Sequence, residues 1–575
     1  MRARSPARAI AVRLADRLPL LVDAYRFLVH PGWELAIWRD DFAARRRLRW
    51  LRDVEPPSPG APRALFVLRR EDLFDIKSRL MLGAALQLEG VEPVVLANHH
   101  RVPRILRYAR AFGVDSLHFR SDFPLSAAET AKITARRAEL MAEEPEFSTV
   151  LAWTHGGQPL GERVLSTLIR ETLDGEPDLG DPAIHQRLGR LVVQALVNYR
   201  QAERILDAIE PRWLLADESG YLTNGPLVDV ALARGAEVFE VTPFLRDGTL
   251  VFKRMSSELG RETAPSVSRS TLELLSETPW TPAQDAELTR ELQRRYGGDS
   301  AIQRMYQATT RPVEREGICR ELELDPTLPI AVVFSHVLWD ASFFYGQDLF
   351  LTYRRWLEAT ILAAAANPAV NWLIKTHPSN AFRLRHGDVS GPVAEVEVVR
   401  GCLRDLPQHV RLVLPETTVS SLSLFRHADV GITVRSTAGL EMACFGKPVI
   451  TAGSGHYSGL GFTIDSSSPG EYLECLARVS DHLAPLGEGQ VVRARRYAHA
   501  LFELRPWVAR SFAIRHDFPR DGRHPLDRNL VPIARSLAEA ADNGDLHRWA
   551  AWAVRGRAAD YLETPAPVAL DPVPG

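Results

Sequence analysis

The sequence predicts an α/β protein with two Rossmann-like domains that face a cleft, and with extra helical segments at both ends. Short apolar strands alternate with helices in the first part of the chain, and a second alternating series begins near residue 329. Strands and helices that alternate across short loops are typical of parallel sheets covered by helices. The 575 residues are also enough for several hydrophobic cores, since one domain takes about 150 residues.

Residues 1–58 predict a basic helical segment, which ends at a proline-rich breaker. The first Rossmann-like domain is predicted over residues 59–255, because apolar runs of strand length alternate there with helical stretches that end in glycine. Its predicted strands cover 64–70, 91–97, 212–217 and 236–242, and its predicted helices cover 73–90, 102–113, 182–210 and 226–235.

Residues 256–325 are polar and show few strand signals, so they predict a helical linker. The second Rossmann-like domain is predicted over residues 326–485, where strands and helices follow each other at the shortest loops. Residues 486–575 predict an arginine-rich, mostly helical extension with a proline-rich tail. In the second domain the predicted strands cover 329–337, 371–378, 410–415, 429–434 and 447–452, and the predicted helices cover 347–366, 420–428 and 437–446.

The composition excludes several classes of protein. Lys and Arg total 70 and Asp and Glu total 72, so the chain has no basic excess and no nucleic acid is expected as a partner. The four cysteines are too far apart for a metal or redox motif, which favours a reducing, cytoplasmic compartment. No apolar run reaches the roughly 18 residues of a transmembrane helix.

The first candidate site follows the predicted strand 371–378, which ends in Lys375-Thr376-His377-Pro378. Ligands of parallel α/β sheets bind at the carboxyl ends of the strands. Because side chains alternate along a strand, Lys375 and His377 point to the same side and offer donors to a phosphate. The hypothesis gives His377 a catalytic role in stabilising a leaving phosphate. The alternative is that His377 only forms ordinary hydrogen bonds at the end of the strand and has no functional role.

The second candidate site is the start of the predicted helix 437–446. Arg435, Ser436 and Thr437 form a turn after a strand, and Gly439 leaves room for a phosphate close to the helix backbone. Glu441 lies one turn into the helix and is placed to accept hydrogen bonds from ribose hydroxyls. The alternative is an ordinary N-cap with a capping glutamate, which explains only part of this group.

Two further groups of candidates follow other predicted strands. His336 and Asp340 lie among aromatic residues in the loop after strand 329–337, where they predict donor contacts or an aromatic cap on the core. Asp217 and Glu218 follow strand 212–217, and Asp75 follows the first strand of the chain. Each of these three carboxylates is a candidate general base, and each is also compatible with a simple helix cap.

The motifs that the chain lacks narrow its chemistry. It has no GxGxxG after a strand, no GxxxxGK[ST] and no GxSxG, so dinucleotide enzymes, P-loop enzymes and α/β-hydrolases are not supported. It also lacks an Asp-x-Asp that would hold a metal and a diphosphate together. The sequence therefore predicts a reaction without a metal or a bound cofactor.

Residues 435–463 and the stretch Asn371–Pro378 resemble the capsule polysaccharide synthesis proteins, a group that includes Kdo transferases with a GT-B fold. Residues 332–350 resemble the surface-carbohydrate biosynthesis branch of the same group. The resemblance implies that the second domain binds a nucleotide donor. His377, Ser436 and Thr437 would then hold its phosphate, and Glu441 its ribose. The first domain would bind the acceptor and supply the base.

The resemblance thus implies a bacterial glycosyltransferase of surface polysaccharide synthesis, and a CMP-linked donor fits the missing diphosphate–metal motif. Its expected partners are a nucleotide-sugar and a glycan or lipid-linked acceptor. A CDP-glycerol-type glycerophosphotransferase, an enzyme like UDP-GlcNAc 2-epimerase, and a non-catalytic subunit of an assembly complex remain alternatives.

The amino-terminal 29 residues carry arginines beside leucines, including Arg2, Arg4, Arg8 and Arg13. This pattern predicts either peripheral contact with an anionic inner membrane or a helix packed against a domain.

Overall fold

A computed structural model describes residues 19–69, 72–97, 103–243, 245–297, 300, 307, 309–340, 343, 348–380, 393–516 and 524–563, with side chains from Ala24 onwards. The chain divides into two compact units, and neither is one continuous stretch of sequence. The first comprises residues 1–167, 179–265 and 505–575, and the second comprises 168–178 and 266–504. The boundaries of the five predicted segments stay a prediction. The amino-terminal arginines and the proline-rich tail lie outside the described residues.

The first unit contains a seven-stranded sheet in the order β13-β6-β5-β4-β1-β2-β3. The strands β1 to β5 run parallel, and β6 and β13 are added antiparallel at one edge. A two-stranded antiparallel pair, β14 and β15, completes this unit. The strands are β1 (Arg63–Leu68), β2 (Glu92–Ala97), β3 (Ser116–Phe119), β4 (Trp213–Ala216), β5 (Glu237–Pro243), β6 (Thr249–Met255), β13 (Trp507–Val508), β14 (Phe512–His516) and β15 (Arg528–Pro532).

Helices connect and cover these strands. The helix α3 begins at Asp72, whose side chain accepts the Asp75 N–H and so satisfies one of the free donors at a helix start. The helices of the described part of this unit are α1 (Pro19–Val29), α2 (Pro31–Arg47), α3 (Leu73–Gln87), α4 (Pro103–Ala111), α5 (Ala127–Leu140), α6 (Phe147–Leu151), α7 (Leu160–Thr172, whose last turns belong to the second unit), α8 (Pro182–Ile209), α9 (Gly225–Ala233), α19 (Leu537–Asn543) and α20 (Asp545–Arg555).

The second unit contains a six-stranded sheet in the order β12-β11-β10-β7-β8-β9, and every strand pair in it is parallel. The central strands are buried at every position, as expected for a sheet covered by helices on both faces. The strands are β7 (Ile330–Phe334), β8 (Asn371–Lys375), β9 (Val410–Val413), β10 (Val430–Thr433), β11 (Val449–Thr451) and β12 (Ile464–Asp465).

The helices of the second unit follow its strands. They are α10 (Arg269–Ser276), α11 (Pro282–Tyr296), α12 (Arg315–Glu321), α13 (Tyr353–Ala366), α14 (Ala394–Cys402), α15 (Ser421–His427), α16 (Thr437–Cys444), α17 (Pro469–Ala477) and α18 (Glu488–His499). No helix in the described part of either unit is long and apolar enough to cross a membrane.

The predicted α/β class is confirmed, with one largely parallel and one wholly parallel sheet of Rossmann type and helical segments near both ends. The prediction for residues 486–575 needs a correction, because the described part of that region contributes β13, β14 and β15 as well as helices. The strands β3 and β6 were also missed. These strands are short or lie at the antiparallel edge, where the strand–helix alternation used for the prediction does not hold.

Candidate functional site

A pocket of about 200 Å³ lies at the carboxyl ends of β7 and β8 in the second unit, beside the start of α16. The strands β8 and β10, which the two sequence motifs follow, lie on either side of β7 and run parallel to it, so both motifs reach the same edge of the sheet. The lining residues are Arg295, Tyr296, Ser300, Gln307, Phe334, Ser335, Lys375, Thr376, His377, Pro378, Ser421, Phe425, Ser436, Thr437, Ala438 and Glu441.

Lys375 is a buried cation with no counter-charge among the described residues. It is the last residue of β8 and is only 4% exposed. Burial alone lowers its pKa to about 8, and no carboxylate of the described residues acts to raise it. An uncompensated buried charge costs free energy, and an anion in the pocket would relieve that cost. Lys375 therefore marks the pocket as a site for a negatively charged ligand.

His377 is held as a neutral hydrogen-bond donor. Its Nδ1 accepts the Ser379 N–H at 3.2 Å and lies 2.8 Å from the Ser379 hydroxyl, so the ring proton resides on Nε2. Burial, together with the nearby charge of Lys375, lowers the pKa of His377 to about 4. At neutral pH this side chain therefore contributes an N–H group and no positive charge.

Glu395 positions the loop that carries His377, and the sequence analysis missed it. This buried carboxylate on α14 accepts the His377 N–H at 3.2 Å and the Asn380 side-chain amide at 2.7 Å, both through Oε1. Burial raises its pKa. A glutamate near the start of a helix gives no sequence signal that its partners lie 15 to 18 residues upstream.

The start of α16 contributes polar groups to the same pocket. Ser436 is the N-cap, and its hydroxyl accepts the Ala438 N–H at 3.2 Å. Thr437 and Ala438 follow at the first positions of the helix, where backbone N–H groups carry a partial positive charge. The ordinary capping interaction and the predicted anion-binding position thus occur in the same turn.

Glu441 lines the pocket, but both of its oxygens already have partners. Oε1 accepts from Arg295 Nε at 2.9 Å, and Oε2 accepts from the Tyr296 hydroxyl at 2.6 Å. Burial and the carboxylate together raise the pKa of Tyr296 well above its ordinary value. Glu441 therefore ties α16 to the end of α11, and its role toward a ribose stays a prediction.

Close packing against Tyr457 explains why position 439 is a glycine. The Tyr457 hydroxyl donates to the Ser436 carbonyl at 2.6 Å and lies over the first turn of α16. A Cβ atom at position 439 would lie 2.5 Å from that hydroxyl, which is closer than any real contact. Tyr457 was not identified in the sequence, because it follows α16 by more than ten residues.

Arg435, His336 and Asp340 lie outside the lining of the pocket. His336 Nε2 accepts the Arg435 backbone N–H at 3.1 Å, and the Arg435 guanidinium forms an ion pair with Asp348. Burial lowers the pKa of His336 well below its ordinary value, so the ring is a neutral acceptor. These two side chains fix the turn before Ser436, whereas Asp340 is exposed. Their predicted contacts with a donor stay predictions.

The three carboxylates predicted as candidate bases gather around two arginines in the first unit. Asp217 Oδ2 lies 3.3 Å from Arg69 Nε and 3.3 Å from Arg79 Nη2. Arg79 is also 3.5 Å from Asp75, and Arg69 is 3.2 Å from Glu218. The cluster lies at the carboxyl ends of β1 and β4, where the sequence predicted functional side chains.

Glu240 is a fourth carboxyl in this region, and the sequence analysis missed it. It lies on β5, opposite Ala216 in the parallel register, and is 4% exposed. The Ser219 hydroxyl donates to Oε1 at 2.9 Å, whereas Oε2 makes no hydrogen bond of good geometry with the described residues. Burial raises the pKa of Glu240 to about 7, which is the range of a general base. A glutamate within an apolar strand is the sequence signal that identifies it.

The described residues contain no group of three or more His, Cys, Asp or Glu side chains placed to hold a metal ion. The reaction without a metal or cofactor stays a prediction.

Residues 304–477 match the family described as "Capsule polysaccharide biosynthesis protein". The match spans α12 to α17 and includes both motifs of the pocket, which confirms the resemblance for this part of the chain. No curated protein matches the chain.

Several solved structures are similar to this chain at low identity. The beta Kdo 2,4 transferase KpsC of Thermosulfurimonas dismutans is 15% identical, with 58% of this chain and 86% of that chain covered and a TM-score of 0.28. UDP-GlcNAc 2-epimerase from Neisseria meningitidis is 11% identical, with 77% and 97% covered and a TM-score of 0.24. The spinosyn rhamnosyltransferase SpnG is 14% identical, with 77% and 95% covered and a TM-score of 0.25. At these scores the likeness says nothing about the substrates of this chain.

Proposed function

Starting from the capsule polysaccharide family of residues 304–477, we propose that this protein is a glycosyltransferase of surface polysaccharide synthesis. It transfers a sugar from a nucleotide-activated donor to a glycan or lipid-linked acceptor. The donor phosphate binds in the pocket between the end of β8 and the start of α16. The observation that carries this proposal is the buried cation of Lys375 beside a helix start, which no carboxylate of the described residues compensates.

The pocket supplies three kinds of stabilisation to a phosphate. Lys375 supplies a full positive charge, His377 a neutral N–H donor, and the first turn of α16 its free backbone N–H groups. Negative charge builds on the phosphate oxygen as the bond to the sugar breaks, so these groups act most strongly in the transition state. Removing one such preorganised donor typically costs about 3–4 kcal/mol in the barrier.

The aromatic residues that line the pocket suit the nucleoside part of a donor. Tyr296, Phe334 and Phe425 line it, with ring centroids 5.4 Å apart for Tyr296–Phe425 and 5.6 Å apart for Phe334–Phe425. Aromatic rings offer flat apolar contact to a base. One pocket thus combines groups for a phosphate with apolar surface for the base beside it.

The acceptor hydroxyl attacks the anomeric carbon of the donor sugar and loses its proton to a carboxylate. The sugar–phosphate bond breaks, and its electron pair leaves with the nucleotide phosphate. The family resemblance assigns the acceptor and the base to the first domain. Asp217, Glu218 and Asp75 are the predicted bases, and Glu240 joins them because its pKa of about 7 fits the role.

We further propose that the donor carries a single phosphate, as a CMP-linked sugar does, and that a metal is not required. The chain has no Asp-x-Asp motif, and the pocket has one lysine at its centre. Single-phosphate recognition needs less positive charge than a diphosphate does.

Thermal-shift binding with CMP, CDP, UMP, UDP, GDP and ADP, with and without magnesium, tests the proposal. A ligand at a hundredfold excess over its dissociation constant stabilises the folded state by about 2.7 kcal/mol, which is easily measured. We expect a CMP shift that does not need magnesium and that is lost in His377→Ala.

Other outcomes separate the alternatives. A shift with UDP or GDP alone would keep the transferase and reject the CMP-linked donor. A shift with CDP alone would favour a glycerophosphotransferase, and turnover of UDP-GlcNAc without an acceptor would favour an epimerase. No shift with any nucleotide, from folded protein, would reject the transferase in favour of a non-catalytic subunit.

A further inference from the structure

The helix α2 has its charged and apolar sides reversed relative to a normal surface helix. Its buried positions are Glu34, Ile37, Asp41 and Ala44, which recur at three- and four-residue spacing and so form its inner face. Two of these four residues are carboxylates. A surface helix usually turns its apolar side inwards and its charges outwards.

The inward carboxylates are neutralised by the body of the first unit. Glu34 accepts from Arg104 at 2.9 Å, and Asp41 lies 3.4 Å from Arg107. The neighbouring Asp40 binds the fully buried Lys77 at 2.5 Å. Polar contacts of this kind hold α2 in place, so the reversed polarity is a built feature of the fold.

The outer side of α2 carries large apolar side chains. Leu35, Trp38 and Phe42 are exposed, Trp38 by 56% and Phe42 by 72%, and we call these three residues the aromatic face. The end of α1, which directly precedes α2 in the chain, also carries exposed apolar side chains, with Leu28 at 81% exposure. Four large apolar side chains within Tyr25–Val29 are exposed. Outside residues 25–42, the described residues contain only six other exposed large apolar side chains. An apolar patch of this size marks an interaction site.

Exposed arginines share this surface. Arg39 and Arg46 lie at helical spacing from Leu35 and Phe42, and therefore on the same side of α2. No carboxylate of α2 is exposed. The outer side thus combines tryptophan, aliphatic and cationic groups without acidic ones, which is the composition of helices that lie in a membrane interface.

We propose that the aromatic face, with Arg39 and Arg46, docks α2 on the surface of an anionic lipid bilayer. Trp38 and Phe42 would lie at the level of the headgroups, and the arginines would pair with anionic headgroups. A second copy of the chain is a poorer occupant, because a two-fold contact would bring the same arginines face to face. No described helix can cross a membrane, so this contact would be peripheral.

Flotation of the full-length protein with lipid vesicles tests this docking. One vesicle contains phosphatidylcholine alone, and the other adds phosphatidylglycerol. We expect binding to the anionic vesicles only, weakened in high salt because headgroup attraction is screened. Trp38→Ser/Phe42→Ser is expected to reduce the bound fraction by roughly tenfold or more, and Arg39→Gln/Arg46→Gln to remove the salt dependence.

The matched control is Leu362→Ser, which removes a leucine of similar exposure, 52%, from α13 of the second unit. It should float as the unchanged protein does. All replaced side chains are exposed, so the variants should melt normally. Absence of wild-type flotation, or equal flotation of the Trp38→Ser/Phe42→Ser protein, would overturn the proposal. The proposal would also be overturned if the wild type formed dimers, did not bind vesicles, and became monomeric in the Trp38→Ser/Phe42→Ser variant. The face would then be a protein contact. None of these outcomes depends on nucleotide binding.

Discussion

Replacing Lys375 by methionine should stabilise the unliganded protein and abolish nucleotide binding. Lys375 is buried and has no counter-charge in the part of the chain that the structure describes, and burial lowers its pKa from 10.5 to about 8. Each pKa difference of one corresponds to about 1.4 kcal/mol, so protonated Lys375 costs the folded state about 3 kcal/mol. Methionine has a similar length and no charge, so it removes most of this cost while it also removes the attraction for a phosphate.

The sign of the pH dependence follows from the lowered pKa. Between pH 8 and 10.5 the unfolded chain keeps the Lys375 proton and the folded protein has lost it. The unfolded state therefore binds more protons, and the stability of the wild type should rise with pH across this window. Below pH 8 the full cost is present. The methionine variant should lack this rise and should gain up to about 3 kcal/mol at pH 7.

Urea unfolding at pH 7 and pH 10, with and without CMP, measures both effects. Lys447→Met is the matched control, because Lys447 is a half-buried lysine of the same unit that does not line the pocket. It should leave CMP stabilisation unchanged and show no gain at pH 7. A Lys375→Met protein that is less stable than the wild type at pH 7 would refute the unpaired-charge reasoning. One that keeps its CMP stabilisation would refute the phosphate role of Lys375.

Three other predictions concern positions that sequence reasoning missed or explained differently. Glu395→Ala should weaken CMP binding about tenfold, since the loop of His377 loses its acceptor, whereas Glu395→Gln keeps an oxygen there and should retain binding in calorimetry. Gly439→Ala should lower the unfolding free energy by about 1–3 kcal/mol, and adding Tyr457→Phe should recover part of the loss; equal loss in both proteins would contradict the clash. The raised pKa of Glu240 means that its stabilising effect is complete below pH 4.5 and is lost as the pH rises to about 7. Glu240→Gln should therefore gain about 3 kcal/mol relative to the wild type at pH 8 compared with pH 4, and parallel stability profiles of the two proteins would show that Glu240 is not buried as described.

The fold of the second unit could be predicted because its signals are local. The run Ile330–Phe334 is short, apolar and followed by a loop, and so are the other central strands, as in any parallel sheet buried on both faces. The strands β13, β14 and β15 could not be predicted in this way. They pair antiparallel, and in β13 with a partner some 250 residues earlier in the chain, so no local strand–helix alternation marks them.

The sequence by itself determined which motifs form the pocket. The turn after β8 and the start of α16 both follow parallel strands, and parallel strands end at a common edge, so Lys375 and Ser436 were expected at the same edge of the sheet. Only the tertiary structure decided what each side chain does there. Glu441 is engaged by Arg295, some 146 residues away, whereas no carboxylate of the described residues compensates Lys375 in the same pocket. Strand and helix periodicity says which way a side chain points, but its partner depends on which distant element packs against it.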